Sequence, residues 1–405
     1  MGSLIKLWVG SDRFRIVALI IAITLFGAIL LISQSRESEW KSHLSDFGTR
    51  DFVVYWSAFN AVKDGKNPYS MPAIYPFQDH VIKDEKLAQA FLNPPWALSI
   101  MAPVLVFDFT VARFLWIILN AAFIYLTIIL IFNSLHGGDS SRTIDLMLGS
   151  LFLPSVWTIW MGQITLFLTV CFAAAFVSMM KGRAILAGLF LIPLTLKPHL
   201  FLVVGVVLAV YLLRKKLLPL MMSFIFGFIA LQLITYLFSP QIYSNWLSME
   251  YSPLIQKTSS VVTIIRESMQ FVFGTLVDWP VVAVPLVGTV LFVPWLLKQY
   301  GNSNIELLLP PSLCISLGIA PYSWLQDFSL LLVCQSTLLV LVSRIKPPYA
   351  IKIEITLMLV VLQLAIVIGI VAFEGFQYLF WIPWAMLVIW IRSSNLLYSD
   401  KARHV

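Results

Sequence analysis

The chain predicts an all-α integral membrane protein, a bundle of about 12 transmembrane helices, and three observations carry that expectation. Of 405 residues, 60% are hydrophobic and 12% charged, with a mean hydropathy of +0.89, far from the balance of a soluble domain. The apolar residues come in runs of membrane-spanning or slightly shorter length, separated by polar turns. Those turns alternate between connections rich in lysine and arginine and connections nearly free of them, as in a chain that crosses a bilayer back and forth. The net charge of +7 is therefore a statement about membrane sidedness, and nucleic-acid binding has no support. Cys171, Cys314 and Cys334 sit inside apolar runs without metal-ligand spacing and read as small buried hydrophobes.

The elements follow in order within a single polytopic domain, residues 1–405. The first run, Phe14 to Ser33, is about long enough to span and is preceded by Lys6 and Arg13, which places its start in the cytoplasm and makes it an anchor rather than a signal peptide. An outer loop, residues 34–111, follows; it is polar and aromatic-rich up to about Gln89. Its apolar stretch from Ala90 to Phe107 is interrupted by Asn93-Pro94-Pro95-Trp96, so it predicts a juxtamembrane or re-entrant element that does not cross. Spans 2–7 occupy residues 112–238, a second outer loop residues 239–276, spans 8–12 residues 277–391, and a cytoplasmic tail residues 392–405.

Charge sets the orientation. Arg142, Lys181 and Arg183, Arg214-Lys215-Lys216, Lys298, Arg344, Lys346, Lys352 and the tail fall on one side, which the positive-inside rule assigns to the cytoplasm together with both termini. This parity holds only if Ala90 to Phe107 does not cross. The outer side then collects Asp51, the Gly162-Gln163 turn, the Lys197-Pro198-His199 turn and the turn from Pro321 to Asp327. Several flanking runs have only about 13 to 17 residues, fewer than the ~20 of a straight crossing, so their turns lie below the membrane surface in a wet or protein-lined cavity.

Each polar turn has two readings. Lys197 is a snorkelling helix-end lysine or, because it stands in an outer turn where basic residues are disfavoured, an anion ligand; His199 adds a donor or a charge beside it. Arg266 is a surface ion-pair partner of Glu267 or Glu250, or a bidentate phosphate ligand. Gln163 is part of a helix-breaking turn or a hydrogen-bonding group for sugar hydroxyls. Asp327, with Trp324 before it, caps the next helix or contributes to binding sugar or acceptor. Asp51 is paired with Arg50 or stands at the head of a helix whose Phe52, Tyr55, Trp56 and Phe59 have the spacing of an amphipathic stripe lying on the membrane, where a lipid-borne substrate meets the carboxylate. No metal-protease HExxH, P-loop or Ser-His-Asp order is present.

The order of Asp51-Phe52 with Tyr55, Asn67-Pro68-Tyr69, Pro94-Pro95 with Ala102-Pro103, Gly162-Gln163, and Ala187-Gly188 followed by Lys197-Pro198 resembles glycosyltransferase family 87 over about residues 45 to 215. That resemblance implies a GT-C-type membrane bundle with juxtamembrane helices in the first outer loop. It implies a hexosyltransferase, inverting, that moves mannose from a polyprenyl-phosphate sugar to a lipid or glycan acceptor on the outer face of the plasma membrane. Asp51 is then the catalytic base, with Lys197, His199 and Arg266 on the donor phosphate and Gln163, Tyr55, Trp324 and Asp327 around sugar and acceptor. No metal and no cofactor beyond the lipid-linked donor is implied; membrane lipids are the remaining partner. The chain departs from the family pattern at Thr165, where many members have asparagine, and at Gln326-Asp327, where histidine is frequent. A lipid-linked sugar flippase or transporter, and an outer-face glycan ligase or polymerase, remain as rival readings.

Overall fold

The computed structural model describes residues 47–82, 88–135, 152–249, 258–300, 305–345, 348–372 and 376–401. Among them there is no strand; the chain is helical and joined by turns. Seven helical stretches are long and apolar enough to cross a membrane: Phe109–Leu135, Pro198–Lys215, Leu218–Phe238, Pro280–Tyr300, Leu325–Ile345, Ala350–Ile370 and Gln377–Leu397. Shorter apolar helices, Thr165–Met180, Ala184–Leu196 and Ile305–Gly318, stand where the sequence places its short spans. The protein is thus an all-α, multi-pass membrane protein. The anchor expected at residues 14–33 lies outside the described residues, as does the start of the run expected from residue 144, whose described part is the helix Leu153–Met161.

The stretch expected not to cross forms a helix of 10 residues, Trp96–Leu105, opened by Pro95 and carrying Pro103. A helix that short reaches only about 15 Å, half the hydrocarbon thickness. At the other end of the chain the last helix, Ile382–Lys401, runs on into the segment expected as a tail, and Arg392 on it pairs with Glu354 at 2.9 Å.

Close approach of helices rests on small residues rather than on the hydrophobic effect, which gives no net gain between two surfaces that both face lipid. At Gly188 a Cβ would stand 2.0 Å from Ser223 Oγ and 2.4 Å from the Leu220 carbonyl oxygen, so Ala184–Leu191 and Leu218–Phe238 touch backbone to backbone there. Glu306, buried at 7% side-chain exposure, joins Arg344 through two parallel hydrogen bonds of 2.7 and 3.2 Å, tying Ile305–Gly318 to Leu332–Ile345.

The helix that follows Asp51 corrects one expectation. It forms, as Phe52–Lys63, but its aromatic stripe does not lie on the membrane: Phe52, Tyr55 and Phe59 are only 0–2% exposed. Phe52 stacks on Trp116 at 5.9 Å, Tyr55 meets Phe91 edge-on at 6.0 Å, and Phe59 stacks on Phe238 at 5.6 Å. Rings from the juxtamembrane stretch and from two long helices surround this stripe, so it contributes about 1.5–3 kcal/mol per ring to packing inside the protein. Trp56 is half-buried and donates its indole N–H to the Phe107 carbonyl at 3.0 Å. The spacing gave the helix; it did not reveal that protein covers both its sides.

Candidate active site

The turn before that helix is fixed from both ends. Helix Leu153–Met161 starts with a proline in its first turn and stops at Gly162, whose φ of +71° is the left-handed conformation that glycine adopts without strain. The exposed carbonyls of that helix end receive the turn: Gly48 N–H donates to the Trp160 oxygen at 2.7 Å and Asp51 N–H to the Met161 oxygen at 2.8 Å. The two chains approach so closely that a Cβ on Gly162 would stand 2.5 Å from the Gly48 carbonyl oxygen. Arg113 holds Thr49 Oγ1 at 3.0 Å, and Trp116 donates to the Gly162 carbonyl at 3.0 Å. Two segments more than a hundred residues apart in sequence are thereby bolted together, and Gln163 is delivered to Asp51.

Gln163 Nε2 donates to Asp51 Oδ2 at 2.8 Å. Its other end is fixed by two donors, Tyr55 Oη–H and the Ile164 N–H, each 2.8 Å from Oε1. An amide whose oxygen is so occupied must turn its nitrogen to the carboxylate. Gln326 Nε2 reaches the same Oδ2 at 3.4 Å, a long contact, and the Gln326 carbonyl accepts from Thr158 Oγ1 at 2.9 Å. Asp51 Oδ1 receives no hydrogen bond among the described residues.

Asp51 is 8% exposed, and its carboxyl is pushed up to about 6. Burial is the largest cause; the positive charges of Lys197 and then Arg50 pull it down, Asp327 pushes it up and the Gln163 hydrogen bond lowers it again. Burial first, and then the Asp51 charge, hold the Tyr55 phenol well above its ordinary range, so it stays a donor to Gln163 at neutral pH.

Next to this lies a buried ion pair. Lys197 falls at a break between two short 3₁₀ turns, Ile192–Leu196 and Pro198–Phe201, with φ −136°. Its ammonium donates to Asp327 Oδ1 at 2.6 Å, with side-chain exposures of 10% and 1%. Thr165 Oγ1 bridges the two, donating to Asp327 Oδ1 at 3.0 Å and accepting from Lys197 Nζ at 3.2 Å. Asp327 Oδ2 accepts the Trp324 backbone N–H at 2.9 Å and so opens the turn Leu325–Leu331. Asp327 thus shapes a helix start, as the third residue of the turn rather than as its cap, and its other carboxylate oxygen faces the cluster. Trp324 enters through its backbone.

The remaining candidates lie as follows. The His199 ring packs on Tyr322 with centroids 3.9 Å apart, and its Nε2 is buried without a hydrogen-bond partner among the described residues. Arg266, on Val261–Phe273, is not part of the cluster. Its guanidinium is held by Asp278 and, at 3.0 Å, by the Val277 carbonyl. The ion pair expected for it thus exists, with Asp278 in place of Glu267; Glu250 lies outside the described residues. The loop before that helix does reach the site end: Ser259 N–H donates to the Ser323 carbonyl at 2.6 Å, and Ser323 Oγ–H to the Ser259 carbonyl at 2.9 Å.

Sequence reasoning treated Thr165 and Gln326 only as departures from a pattern, and missed Thr49, Arg113 and Thr158. The available signal was that Thr165 and Gln326 adjoin residues already singled out.

A base-strength carboxylate, a shielded ammonium and a set of neutral amide and hydroxyl donors suit the activation of a hydroxyl beside an anion. A family model described as glycosyltransferase family 87 matches residues 91–319, more than half of the chain. The match includes Gln163, Thr165, Lys197 and His199; Asp51 lies before it, and Gln326 and Asp327 after it. No curated protein matches the chain.

Proposed function

The chain belongs to glycosyltransferase family 87, and from that premise we propose that this membrane glycosyltransferase takes its sugar, mannose, from a polyprenyl-phosphate donor. The acceptor is a hydroxyl of a lipid or glycan on the outer face of the plasma membrane, with both termini cytoplasmic. The observation that supports this reading best is the convergence of Asp51, Gln163, Lys197 and Asp327, from four separate segments, in one buried polar cluster.

The proposed reaction is a single inverting displacement of the GT-C kind. Asp51 accepts the acceptor hydroxyl's proton through Oδ1 while Gln163 and Gln326 hold Oδ2 in place. The hydroxyl oxygen bonds to the anomeric carbon from the face opposite the phosphate. The bond from that carbon to the phosphate oxygen breaks, and its electron pair leaves with the polyprenyl phosphate, which passes from a singly to a doubly charged anion. Asp51 then returns its proton to solvent. A carboxylate near 6 is a better base at neutral pH than an ordinary one, which is weaker by about two pKa units. Lys197, which keeps a third ammonium proton beyond its two hydrogen bonds, stands on the leaving-group side, where a fixed cation in a partly dry cavity stabilises developing charge, and His199 beside it adds a buried ring nitrogen rather than a charge. Arg266 leaves the proposed phosphate set because Asp278 and Val277 occupy it. Gln163 and Tyr55 hold the base, and Trp324 and Asp327 border the sugar. The proposed reaction calls on no cofactor beyond the lipid-linked donor.

Purified protein in proteoliposomes, supplied with an extracted acceptor lipid and either radiolabelled polyprenyl-phosphate mannose or nucleotide-linked mannose, tests the donor class. Labelled product from the lipid-linked donor alone is expected. Transfer from the nucleotide sugar alone, or movement of label across the bilayer without covalent product, overturns the proposal.

A further inference from the structure

Lys197 is not a free cation. With Asp327 at 2.6 Å the pair is neutral, and adding Asp51 leaves the cluster with one net negative charge. An incoming phosphodiester anion would meet repulsion unless a further cation faces it. Three arginines come into question. Arg113 is taken by Thr49 and packs over the Phe109 ring at 5.7 Å, and Arg266 is taken by Asp278 and Val277. Arg50 is the third, and it is differently placed.

Although it adjoins Asp51 in sequence, Arg50 makes no ion pair with it within 4 Å among the described residues. The carboxylate turns Oδ2 to Gln163 and Gln326 instead. The Arg50 side chain is half-buried, and its Nε–H is buried without a hydrogen-bond partner among the described residues. Buried N–H groups of a guanidinium are expensive to leave unpaired, and an anion with free oxygens beside this one would relieve that cost. The backbone on both sides of Arg50 is fixed, by Gly48 to Trp160 and Asp51 to Met161, and the Thr49 side chain is held by Arg113. A guanidinium on so rigid a turn is preorganised, and its planar fork matches two phosphate oxygens at once, which the single ammonium of Lys197 does not.

We propose that Arg50 is the principal ligand of the donor's phosphate, gripping two of its oxygens while Lys197, balanced by Asp327, lends only its remaining proton. The proposal rests on the lipid-phosphate donor reading above. It gives neighbouring residues separate tasks, Asp51 accepting the acceptor's proton and Arg50 holding the donor.

The test compares wild type, R50K and R50A in proteoliposomes with polyprenyl-phosphate mannose, measuring kcat, KM for the donor and the pH profile. Loss of a charge-assisted, two-pronged contact is expected to raise the donor KM about 10- to 100-fold and, because the phosphate gains charge as it leaves, to lower kcat as well, and R50K to recover part of both. Inhibition by free polyprenyl phosphate should weaken in parallel. If R50A does not yield monodisperse protein, R50Q, similar in reach and uncharged, replaces it. An unchanged donor KM, with the acid limb of the pH profile displaced upward, overturns the proposal by showing that Arg50 acts on Asp51 alone. Failure of the wild type to use any lipid-phosphate donor instead overturns the reading beneath it, so the two failures are separable.

Discussion

Asp51 carries two opposing demands, burial that weakens it as an acid and neighbours that keep it ionised near neutrality. The sign of its effect on stability follows. The unfolded carboxyl titrates near 3.8 and the folded one near 6. Between these values the native state holds a proton that the unfolded chain releases. The resulting stability is full below 3.8 and is lost as pH rises through about 6, so at neutral pH the ionised group costs on the order of 3 kcal/mol. Asp51→Asn is therefore expected to raise Tm at pH 7.5 relative to wild type, with the gap closing toward pH 4. If Asp51 is the base, the same titration is expected to give an acid limb near pH 6 in the wild-type kcat/KM profile. Equal Tm values at pH 7.5 would contradict burial as the dominant cause. At this scale the sequence was informative about single groups: Asp51, Gln163, Lys197 and Asp327 stood out because charge or amide interrupts apolar sequence. Their partners were not legible, because a contact such as Gln326 to Asp51 spans 275 positions and follows from packing rather than from spacing.

Among the elements, the helix Leu153–Met161 and its glycine matter most to the site. Gly162 serves twice, as the left-handed stop of the helix and as the surface on which Gly48 rests. The sequence announced the turn through Gly162-Gln163 but not the second role, which needs the chain around residue 48 to be brought against it. Gly162→Ala puts a Cβ 2.5 Å from a backbone oxygen at a φ that disfavours it. A loss of roughly 2–4 kcal/mol and of transfer activity together is expected, combining left-handed strain with the clash. Gly205, where a Cβ would meet nothing within 4 Å, is the control; its alanine variant should keep both Tm and activity. Similar Tm values for the two variants would show that the turn is not clamped. The aromatic stripe after Asp51 teaches the same distinction. Its period was read correctly, and its environment was not, since an amphipathic pattern states which side is apolar but not whether lipid or protein covers it.

Taken as a whole, the molecule follows its hydropathy closely. Among the described residues most runs of apolar sequence became helices within a few residues of their expected ends, the last helix running about ten residues further, and Trp96–Leu105 has only 10 residues. What hydropathy does not encode is which turns meet, and the site exists only through that meeting. The family match agrees with this, since it spans the middle of the chain while Asp51 stands before it and Gln326 and Asp327 after it. The central claim is that these segments build one site in which Asp51 takes the acceptor's proton. Its most direct test is the rate of mannose transfer from polyprenyl-phosphate mannose by purified wild type and Asp51→Asn in the same proteoliposomes at pH 7.5. A loss of about 10²- to 10⁴-fold in kcat in a variant at least as thermostable as wild type is expected; transfer within a few-fold of wild type would contradict the claim.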